Sequence, residues 1–312
     1  MSSRKVFVSG AAGLVGQNLI PSLKATPDLR IVAADKHPVN TQILAEMHPD
    51  IKVLHVDLAE PGVWEEEARD CDFAIQLHAQ IGGLEEAAFE RNNITATERV
   101  LSALKSGGRC NYLIHVSSSV VNSKAVDFYT ESKKRQERLV EEAGIPHISL
   151  RPTLMFGWFD RKHLGWLKRF MERVPVFPIP GDGKYLRQPL YCGDFSSIIL
   201  SCVHEPKEGV FDISGQRKVD YIDLIREMRT AIGSKTPIVN IPYWLFWSLL
   251  KTYAVVDRDP PFTTNQLAAL VTPDVFDVID WPTIFGVQAT DLSDALHQTF
   301  NHPEYSKVFL EF

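Results

Sequence analysis

The sequence contains few of the residues that build disulfide frameworks and metal centres. None of its cysteines lies in a C-x-x-C pair, and its ten histidines show no H-E-x-x-H or other ligand spacing. The four cysteines are Cys71, Cys110, Cys192 and Cys202. We therefore expect buried thiols in a reducing compartment, and neither a structural nor a catalytic metal.

The sequence also lacks a signal-peptide core, an apolar run of membrane-spanning length and an excess of positive charge. The longest apolar run, near 241–250, is too short to cross a bilayer and begins beside Pro242; we interpret it as a buried helix in preference to a membrane-facing patch. The formal net charge of -6 provides no broad attraction for nucleic acid or an anionic membrane. A cytoplasmic protein that binds neither is expected.

The first half of the chain alternates between apolar strand-like segments and helical segments. This alternation over 312 residues predicts right-handed crossovers and a parallel, doubly wound α/β sheet. Strands are predicted at 6–9, 30–35, 51–58, 72–79, 112–116 and 145–150, and a helix over 90–105 that begins near Asn93. His78 and His115 are expected to be core or strand-end residues. From Phe156 onward, short helices and loops rich in aromatic residues and proline predict a smaller lobe.

A glycine-rich turn joins the first predicted strand to the first predicted helix. Gly10 permits the tight turn, Gly13 allows the backbone to approach a pyrophosphate, and Gly16 allows the helix to pack closely on the strand. The helix that begins at Leu14 and Val15 offers free N–H groups to phosphate oxygens. Asp35 follows about 20 residues later, where a carboxylate accepts hydrogen bonds from the adenosine ribose and repels a 2'-phosphate. NAD(H) is therefore favoured over NADP(H). The positive charge of the adjacent Lys36 weakens this preference, so NADP(H) stays an alternative.

Tyr129 and Lys133 lie four residues apart, on one face of a predicted helix. An ammonium near a phenol favours the ionised phenol and would lower its pKa from about 10 toward working pH. Such a phenol exchanges a proton with a carbinol oxygen during hydride transfer. Three serines at 117–119 precede this pair, and a carboxylate at Asp57 is placed to meet the adenine amino group.

These residues together resemble the extended branch of the short-chain dehydrogenase/reductase family, most of all its nucleotide-sugar-modifying members. The resemblance runs clearly from Val6 to about Asp194. It rests on the glycine turn, Asp35, the serines, the Tyr129/Lys133 pair and the following set: Asp57-Leu58, His78-Ala79, Asn93 and Arg151-Pro152-Thr153-Leu154-Met155-Phe156-Gly157.

The resemblance implies a Rossmann-type NAD-binding domain at residues 1–155, a substrate-binding α/β lobe at residues 156–312 and a homodimer formed through the 90–105 and Tyr129 helices. Tyr129 is implied to be the acid/base, Lys133 to bind the nicotinamide ribose, and Ser118 to hydrogen-bond the reacting oxygen, with Ser119 as its nearest competitor. The implied cofactor-binding residues are Gly10, Gly13, Leu14, Val15, Gly16, Asp35, Asp57, Leu58, Ala79, Asn93, Tyr129, Lys133 and Thr153. Ser119, Arg187 and, more weakly, Arg258 are implied to contact the substrate, the arginines through its diphosphate.

The chain departs from the family pattern near the serines. The V-Y-G turn of the family is replaced by Val121-Asn122-Ser123, and the segment between the serines and Tyr129 is short, which implies a more open site. Ser119 and Val120 stand where dehydratases carry an acidic pair, which disfavours dehydration.

The resemblance therefore implies a nucleotide-sugar 4-epimerase. A nucleotide 4-keto-6-deoxysugar reductase that uses NAD(P)H is the first alternative. A reductase or dehydrogenase of an apolar hydroxy compound, of sterol or flavonoid type, and a non-catalytic nucleotide-binding subunit are further alternatives.

Overall fold

A computed structural model describes residues 3–124, 126–256, 264–272 and 275–311. Its strands are β1 Arg4–Ser9, β2 Leu29–Asp35, β3 Lys52–His55, β4 Phe73–Gln76, β5 Leu113–Val116, β6 His147–Pro152, β7 Met155–Phe156, β8 Phe177–Pro180, β9 Leu186–Arg187, β10 Leu190–Tyr191, β11 Gly209–Ile213, β12 Val219–Asp220 and β13 Ile238–Ile241. Seven of these form one parallel sheet in the order β11-β6-β5-β4-β1-β2-β3. The predicted doubly wound parallel sheet is confirmed.

The helices, in chain order, alternate with the strands in the first half and cluster in the second. They are α1 Leu14–Lys24, α2 Pro38–Met47, α3 Trp64–Arg69, α4 Glu86–Phe89, α5 Ala96–Gly107, α6 Phe128–Glu142, α7 Leu164–Arg173, α8 Cys192–His204, α9 Tyr221–Ala231, α10 Tyr243–Val256, α11 Thr264–Val271, α12 Trp281–Phe285 and α13 Leu292–Asn301. Residues Glu90–Thr95 form a π-helical turn, and Ser119–Asn122 and Tyr305–Lys307 form 3₁₀ turns.

Both faces of the central sheet are buried, which explains why its strands are nearly continuous apolar runs. On one face, α1, α8 and α12 cover alternate residues of β1, such as Val6 and Val8. On the other face, α3 and α5 cover the intervening residues, such as Phe7. The chain returns to this sheet after the predicted domain boundary, since β11 pairs with β6 and α8 packs on α1.

The order of strands reverses at β1, whose neighbours are β4 on one side and β2 on the other. In open α/β sheets, ligands bind outside the carboxyl ends of the strands at such a reversal. The segments that follow β1, β2, β4 and β5 meet at this edge, and they carry the glycine turn, Asp35, Ala79 and the serines. The fold therefore gathers at one edge residues that are distant in sequence.

The second half forms a separate apolar cluster that holds the smaller lobe together. Helices α7, α9 and α13 contribute Met171, Ile225 and Leu296, each fully buried. Short strand pairs, β8 with β13 and β9 with β12, border this cluster.

Two predictions about local structure need correction. Residues 90–95 form a π-turn that continues from α4, and the α-helix proper begins at Ala96, not near Asn93. The apolar run near Pro242 does form a helix, α10, but that helix is not buried: Trp244 is 68% exposed, Leu249 57% and Trp247 42%. Among the described residues, no helix combines the length and the apolarity that a membrane crossing requires.

Candidate active site

Two of the three glycines in the turn, Gly10 and Gly16, have no room for a side chain. Gly10 has φ +74°, and a Cβ there would lie 2.5 Å from the backbone nitrogen of His78. A Cβ at Gly16 would lie 2.3 Å from the carbonyl oxygen of Ala11, so α1 packs directly against the turn. Gly13 is the N-cap of α1 and contributes no side-chain cap, which leaves the N–H groups at Leu14 and Val15 to another acceptor.

Asp35 lies at the end of β2 and faces the glycine turn. One carboxylate oxygen accepts the backbone N–H of Ala12 at 3.0 Å, and the other accepts that of His37 at 3.0 Å. The neighbouring Lys36 turns away and donates to Asn92 Oδ1 at 2.7 Å. The structure therefore places the carboxylate beside the turn and directs the adjacent ammonium elsewhere.

Asp57 and Leu58 follow β3 on the same edge of the sheet. Asp57 accepts the N–H of Ala59 at 2.9 Å and forms an ion pair with Arg91. Burial alone would raise the pKa of the Asp57 carboxyl, but these hydrogen bonds outweigh it and the pKa is lowered. Leu58 is buried at 5% exposure. The carboxylate is thus held ionised next to the predicted adenine position.

Asn93 lies in the π-turn and connects the segment after β4 to α6. Its Oδ1 accepts the N–H of Gln80 at 2.6 Å, and its Nδ2 donates to the Gln80 carbonyl at 3.2 Å and to Ser132 Oγ at 2.9 Å. Ala79, immediately before Gln80, is exposed. Asn93 is fully buried and holds this segment in place through its hydrogen bonds, whereas Ala79 is exposed to solvent.

Tyr129 and Ser118 are brought together although 11 positions separate them. Asp127 caps α6 by accepting the N–H and the hydroxyl of Thr130, and Tyr129 lies in the first turn of that helix. Burial raises the pKa of the Tyr129 phenol, and a hydrogen bond with the Ser118 side chain partly offsets that rise. Ser118 also accepts the N–H of Val120 at 3.4 Å, whereas Ser119 is half-buried in the following turn.

Lys133 does not lower the pKa of Tyr129 in this structure, which corrects the prediction made from their spacing. The Lys133 ammonium donates to the Val116 carbonyl at 3.1 Å and to Gln136 Oε1, and the side chain is almost fully buried. Burial lowers the pKa of Lys133 to about 7, and the carboxylate of Glu137 opposes that change. The spacing identified the shared helix face but not the two acceptors, which lie on β5 and one turn further along α6.

An ion pair between Arg151 and Glu137 anchors α6 on the sheet. Arg151 donates two hydrogen bonds to the Glu137 carboxylate, which also accepts the hydroxyl of Ser117 at 2.5 Å. Ser117 is therefore occupied with Glu137, which leaves Ser118 as the serine beside the phenol. Thr153, two residues beyond Arg151, is buried, and within the described part of the chain its hydroxyl oxygen has no hydrogen-bond partner.

Of the two predicted diphosphate contacts, Arg187 lies among the described residues. Arg187 lies on β9 in the lobe, donates to the Thr272 carbonyl at 2.8 Å and lies 5.5 Å from the centre of the Tyr185 ring. Arg258 lies outside the described residues. Among the described residues, no group of His, Cys, Asp and Glu forms a metal-binding cluster.

Sequence reasoning missed a buried polar chain beneath Lys133. Gln136 and Thr97 have no exposed surface, and His78 contacts Thr97 at 3.1 Å and Ser9 at 2.8 Å. Gln136 Nε2 donates to Thr97 Oγ1 at 2.9 Å. The three-residue spacing between Lys133 and Gln136 was the one signal available, since the other members come from separate elements.

The site fits a dinucleotide. The glycine turn and the uncapped start of α1 suit a pyrophosphate, Asp35 suits a ribose, and the orphaned hydroxyl of Thr153 lies at the sheet edge with Tyr129 and Ser118.

Comparison with known proteins identifies the family. Residues 6–214 match the NAD dependent epimerase/dehydratase family, and the chain belongs to it. NAD is the cofactor of this family, as the sequence predicted for this chain, and the predicted membership of the family is confirmed.

Curated relatives are distant. The chain is 26% identical over 74% of its length to the trifunctional UDP-glucose 4,6-dehydratase/UDP-4-keto-6-deoxy-D-glucose 3,5-epimerase/UDP-4-keto-L-rhamnose-reductase of Arabidopsis thaliana, of which it spans only 40%. It is 22% identical to the UDP-glucose 4-epimerase of Vibrio cholerae, a match that covers 82% of this chain and 85% of the relative.

A solved structure shares the whole fold. The UDP-glucuronic acid 4-epimerase from Bacillus cereus, in complex with NAD, superposes with a TM-score of 0.74 at 20% identity and covers 95% of this chain and 97% of its own. The likeness establishes the Rossmann-type fold with its smaller lobe.

Proposed function

We propose that the protein is an NAD-dependent nucleotide-sugar 4-epimerase, which oxidises and re-reduces C4 of the sugar. The observation that carries the proposal is the cluster of Tyr129, Ser118 and Lys133 at the carboxyl edge of the sheet, next to the glycine turn. A phenol paired with a hydroxyl is the arrangement that a carbinol oxygen needs, because one group exchanges the proton while the other donates a hydrogen bond.

Each residue has a distinct task in this reaction. Bound NAD supplies the hydride acceptor. Tyr129 exchanges the proton of the C4 hydroxyl, and Ser118 holds the oxygen in place. The raised pKa of Tyr129 keeps the phenol protonated at neutral pH, ready to donate to a keto sugar. For the oxidative half of the reaction, the positive charge of Lys133 has to come closer to the phenolate than in the present structure, where it is directed to Val116 and Gln136.

The lobe is proposed to bind the nucleotide diphosphate through Arg187. The Arg187 guanidinium donates from one nitrogen to the neutral carbonyl of Thr272, and a phosphate is a stronger acceptor that a guanidinium binds through two nitrogens. The relatives named above act on UDP-sugars according to their names, and this supports the same substrate class here. We propose Arg258 as a second contact to the diphosphate and Ser119 as a contact to the sugar.

An apolar hydroxy compound is the second candidate substrate, and the exposed aromatic surface of α10 favours it. Trp244 and Trp247 lie on the lobe with much of their surface open to solvent, and an exposed apolar patch of this kind is typical of a binding site. Such a substrate would use the same Tyr129 chemistry but would not need Arg187.

We also propose a homodimer formed through the π-turn with α5 and through α6, and the cytoplasmic location stays a prediction. Light scattering coupled to gel filtration tests the dimer: a mass of 35.2 kDa would mean a monomer and contradict it.

The first experiment on function is mass spectrometry and absorbance of the purified protein, followed by incubation with UDP-, dTDP- and GDP-sugars without added cofactor. Tightly held NAD and interconversion of C4 isomers would support the epimerase. Reduction of keto sugars only when NADH or NADPH is supplied would instead establish a reductase.

Two variants separate the remaining possibilities. Tyr129→Phe removes only the phenolic oxygen and is expected to lower turnover by at least about 100-fold while NAD stays bound. Arg187→Ala distinguishes the substrates, because activity with undiminished substrate affinity in that variant would contradict a diphosphate and favour the apolar compound.

A further inference from the structure

The Lys133 ammonium is the first member of a buried chain of hydrogen bonds that ends at the glycine turn. Lys133 donates to Gln136 Oε1, and Gln136 Nε2 donates to Thr97 Oγ1 at 2.9 Å. Thr97 Oγ1 lies 3.1 Å from His78 Nε2, and His78 Nδ1 lies 2.8 Å from Ser9 Oγ. Ser9 is the residue before Gly10, so the chain connects the middle of α6 to the start of the dinucleotide turn.

The direction of every bond in this chain follows from the number of available protons. Because Lys133 is a donor only, it fixes Oε1 of Gln136 as the acceptor end and turns the amide nitrogen toward Thr97. Thr97 Oγ1 also accepts from Gln76 Nε2 at 2.9 Å. Its single proton is then left for His78 Nε2.

With the Gln76 amide oriented as it is in this structure, His78 carries its proton on Nδ1 and donates it to Ser9. Burial, reinforced by the positive charges of Lys133 and Lys36, lowers the pKa of His78 to about 3, so the ring is neutral at working pH and acts as donor and acceptor at once. In each of the four hydrogen bonds that join these five side chains, the donor is the residue nearer to Lys133. Successive hydrogen bonds with the same donor-to-acceptor direction strengthen each other.

Few charges face Lys133 from the elements packed around it. Glu137 lies on the same helix and is occupied by Arg151 and Ser117, and its pKa is lowered despite burial. His78 after β4 and His115 on β5 both have pKa values lowered, first by burial and then by the charge of Lys133, so both are neutral. Tyr129, on the same helix, is also neutral, since its pKa is raised. The amide oxygen of Gln136 is thus the one acceptor other than the Val116 carbonyl that holds the ammonium in the described structure.

We propose that Gln136 is a positioning residue for Lys133, and that Thr97 and His78 fix the orientation of its amide so that the oxygen always faces the ammonium. This proposal rests on the role of Lys133 in the proposed function. A flipped amide would present N–H groups to the ammonium and expel it from the site. The chain through Thr97 and His78 prevents that flip, and it couples the position of Lys133 to the turn that binds the dinucleotide.

The test measures Lys133 directly in protein labelled with ¹³C and ¹⁵N at lysine. The side-chain carbon resonance of Lys133, identified by its loss in Lys133→Met, is followed against pH in the wild type, Gln136→Leu, Gln136→Glu and Thr97→Val. Gln136→Leu removes the acceptor and is expected to move the titration midpoint down by about one pH unit, whereas Gln136→Glu adds a negative charge and is expected to move it up by about one unit or more. Thr97→Val keeps its volume and is expected to give a smaller downward shift.

Matched controls separate positioning from general stability. Gln188→Leu removes another buried amide, which donates to Ser214 and Gly215 in the lobe, and Thr299→Val removes another buried hydroxyl, which donates to the Ala295 carbonyl. Both are expected to lower stability and leave the Lys133 midpoint in place. If Gln136→Leu does not fold, Gln136→Glu and Thr97→Val carry the test, since both retain the size of the original side chain.

NAD affinity, measured by calorimetry at pH 7, is the second readout. It is expected to fall about tenfold in Gln136→Leu and to remain near the wild-type value in Thr299→Val. An unchanged midpoint and an unchanged NAD affinity in Gln136→Leu, or in Thr97→Val where Gln136→Leu does not fold, would overturn the proposal. Neither readout needs a sugar, so a failure of the sugar panel would contradict the proposed function and leave this test intact.

Discussion

Arg151 on β6 donates hydrogen bonds from two nitrogen atoms to the Glu137 carboxylate on α6. This ion pair fixes the position of the helix that carries Tyr129 and Lys133. Arg151→Met would leave the carboxylate, whose side chain is only 14% exposed, without its charge partner. We expect the free energy of unfolding to fall by about 1–3 kcal/mol at pH 7. Urea denaturation measures this change.

The effect of Arg151→Met should depend on pH. Because the folded-state pKa of Glu137 is lowered, its contribution to stability is present above the pKa of the unfolded chain and is lost as the pH falls through the folded value. The difference between the wild type and Arg151→Met should therefore shrink below about pH 4.5. A difference that stays constant down to pH 3 would show that the arginine acts through packing alone.

Gly10→Ala and Gly108→Ala form a matched pair. Both glycines have positive φ, +74° and +64°, but a Cβ at Gly10 meets the His78 backbone at 2.5 Å whereas a Cβ at Gly108 meets nothing within 4 Å. Backbone strain alone should cost about 1–2 kcal/mol in Gly108→Ala, measured by thermal denaturation. Gly10→Ala should cost more and should also weaken NAD binding at least about tenfold. Equal effects in the two variants would contradict the close approach at Gly10.

Lys133 should make stability rise with pH above neutrality. Its folded-state pKa is lowered to about 7, mainly by burial, so between that value and about 10.5 the unfolded chain binds more protons than the folded one. The free energy of unfolding should thus increase by a few kcal/mol from pH 7 to pH 10 relative to Lys133→Met. Parallel pH profiles for the two proteins would show that Lys133 keeps an ordinary pKa.

Asp35→Asn should weaken NAD binding and change cofactor preference. The carboxylate accepts two backbone N–H groups at the turn, whereas an amide offers a single oxygen. The amide would also no longer repel a 2'-phosphate, so the ratio of NADP to NAD affinity should rise about tenfold, as measured by calorimetry with both cofactors. Asp50→Asn is the control, since Asp50 precedes β3 at the opposite edge of the sheet and pairs with Lys24. An unchanged ratio in Asp35→Asn would contradict the role given to its charge.

The sequence predicted the sheet because each buried strand is a short apolar run and each connection carries helical periodicity. It predicted the edge of the sheet at which the site lies because parallel strands present their carboxyl ends together. Ser118 and Tyr129 could be paired only through the family resemblance, since the turn that brings them together is set by Val120 and by the cap at Asp127.

Three features lay beyond the sequence for physical reasons. The π-turn at 90–95 contains a single apolar residue, Ile94, so hydrophobic periodicity cannot distinguish it from an α-helix. The acceptors of Lys133 include the Val116 carbonyl, which is backbone and carries no sequence signal. The exposure of α10 contradicts the composition of that helix, because apolar runs of this length usually lie in a core.

The placement of the tryptophans also determines what fluorescence will report. Trp64 and Trp281 are 1% exposed, whereas Trp244 is 68% exposed. The emission spectrum of the folded protein should therefore be a sum of a short-wavelength component that iodide does not quench and a long-wavelength component that it does. A ligand or partner on the α10 surface would shift and protect the emission of Trp244 and Trp247 and leave that of Trp64 and Trp281 unchanged, so one fluorescence experiment would follow both unfolding and binding.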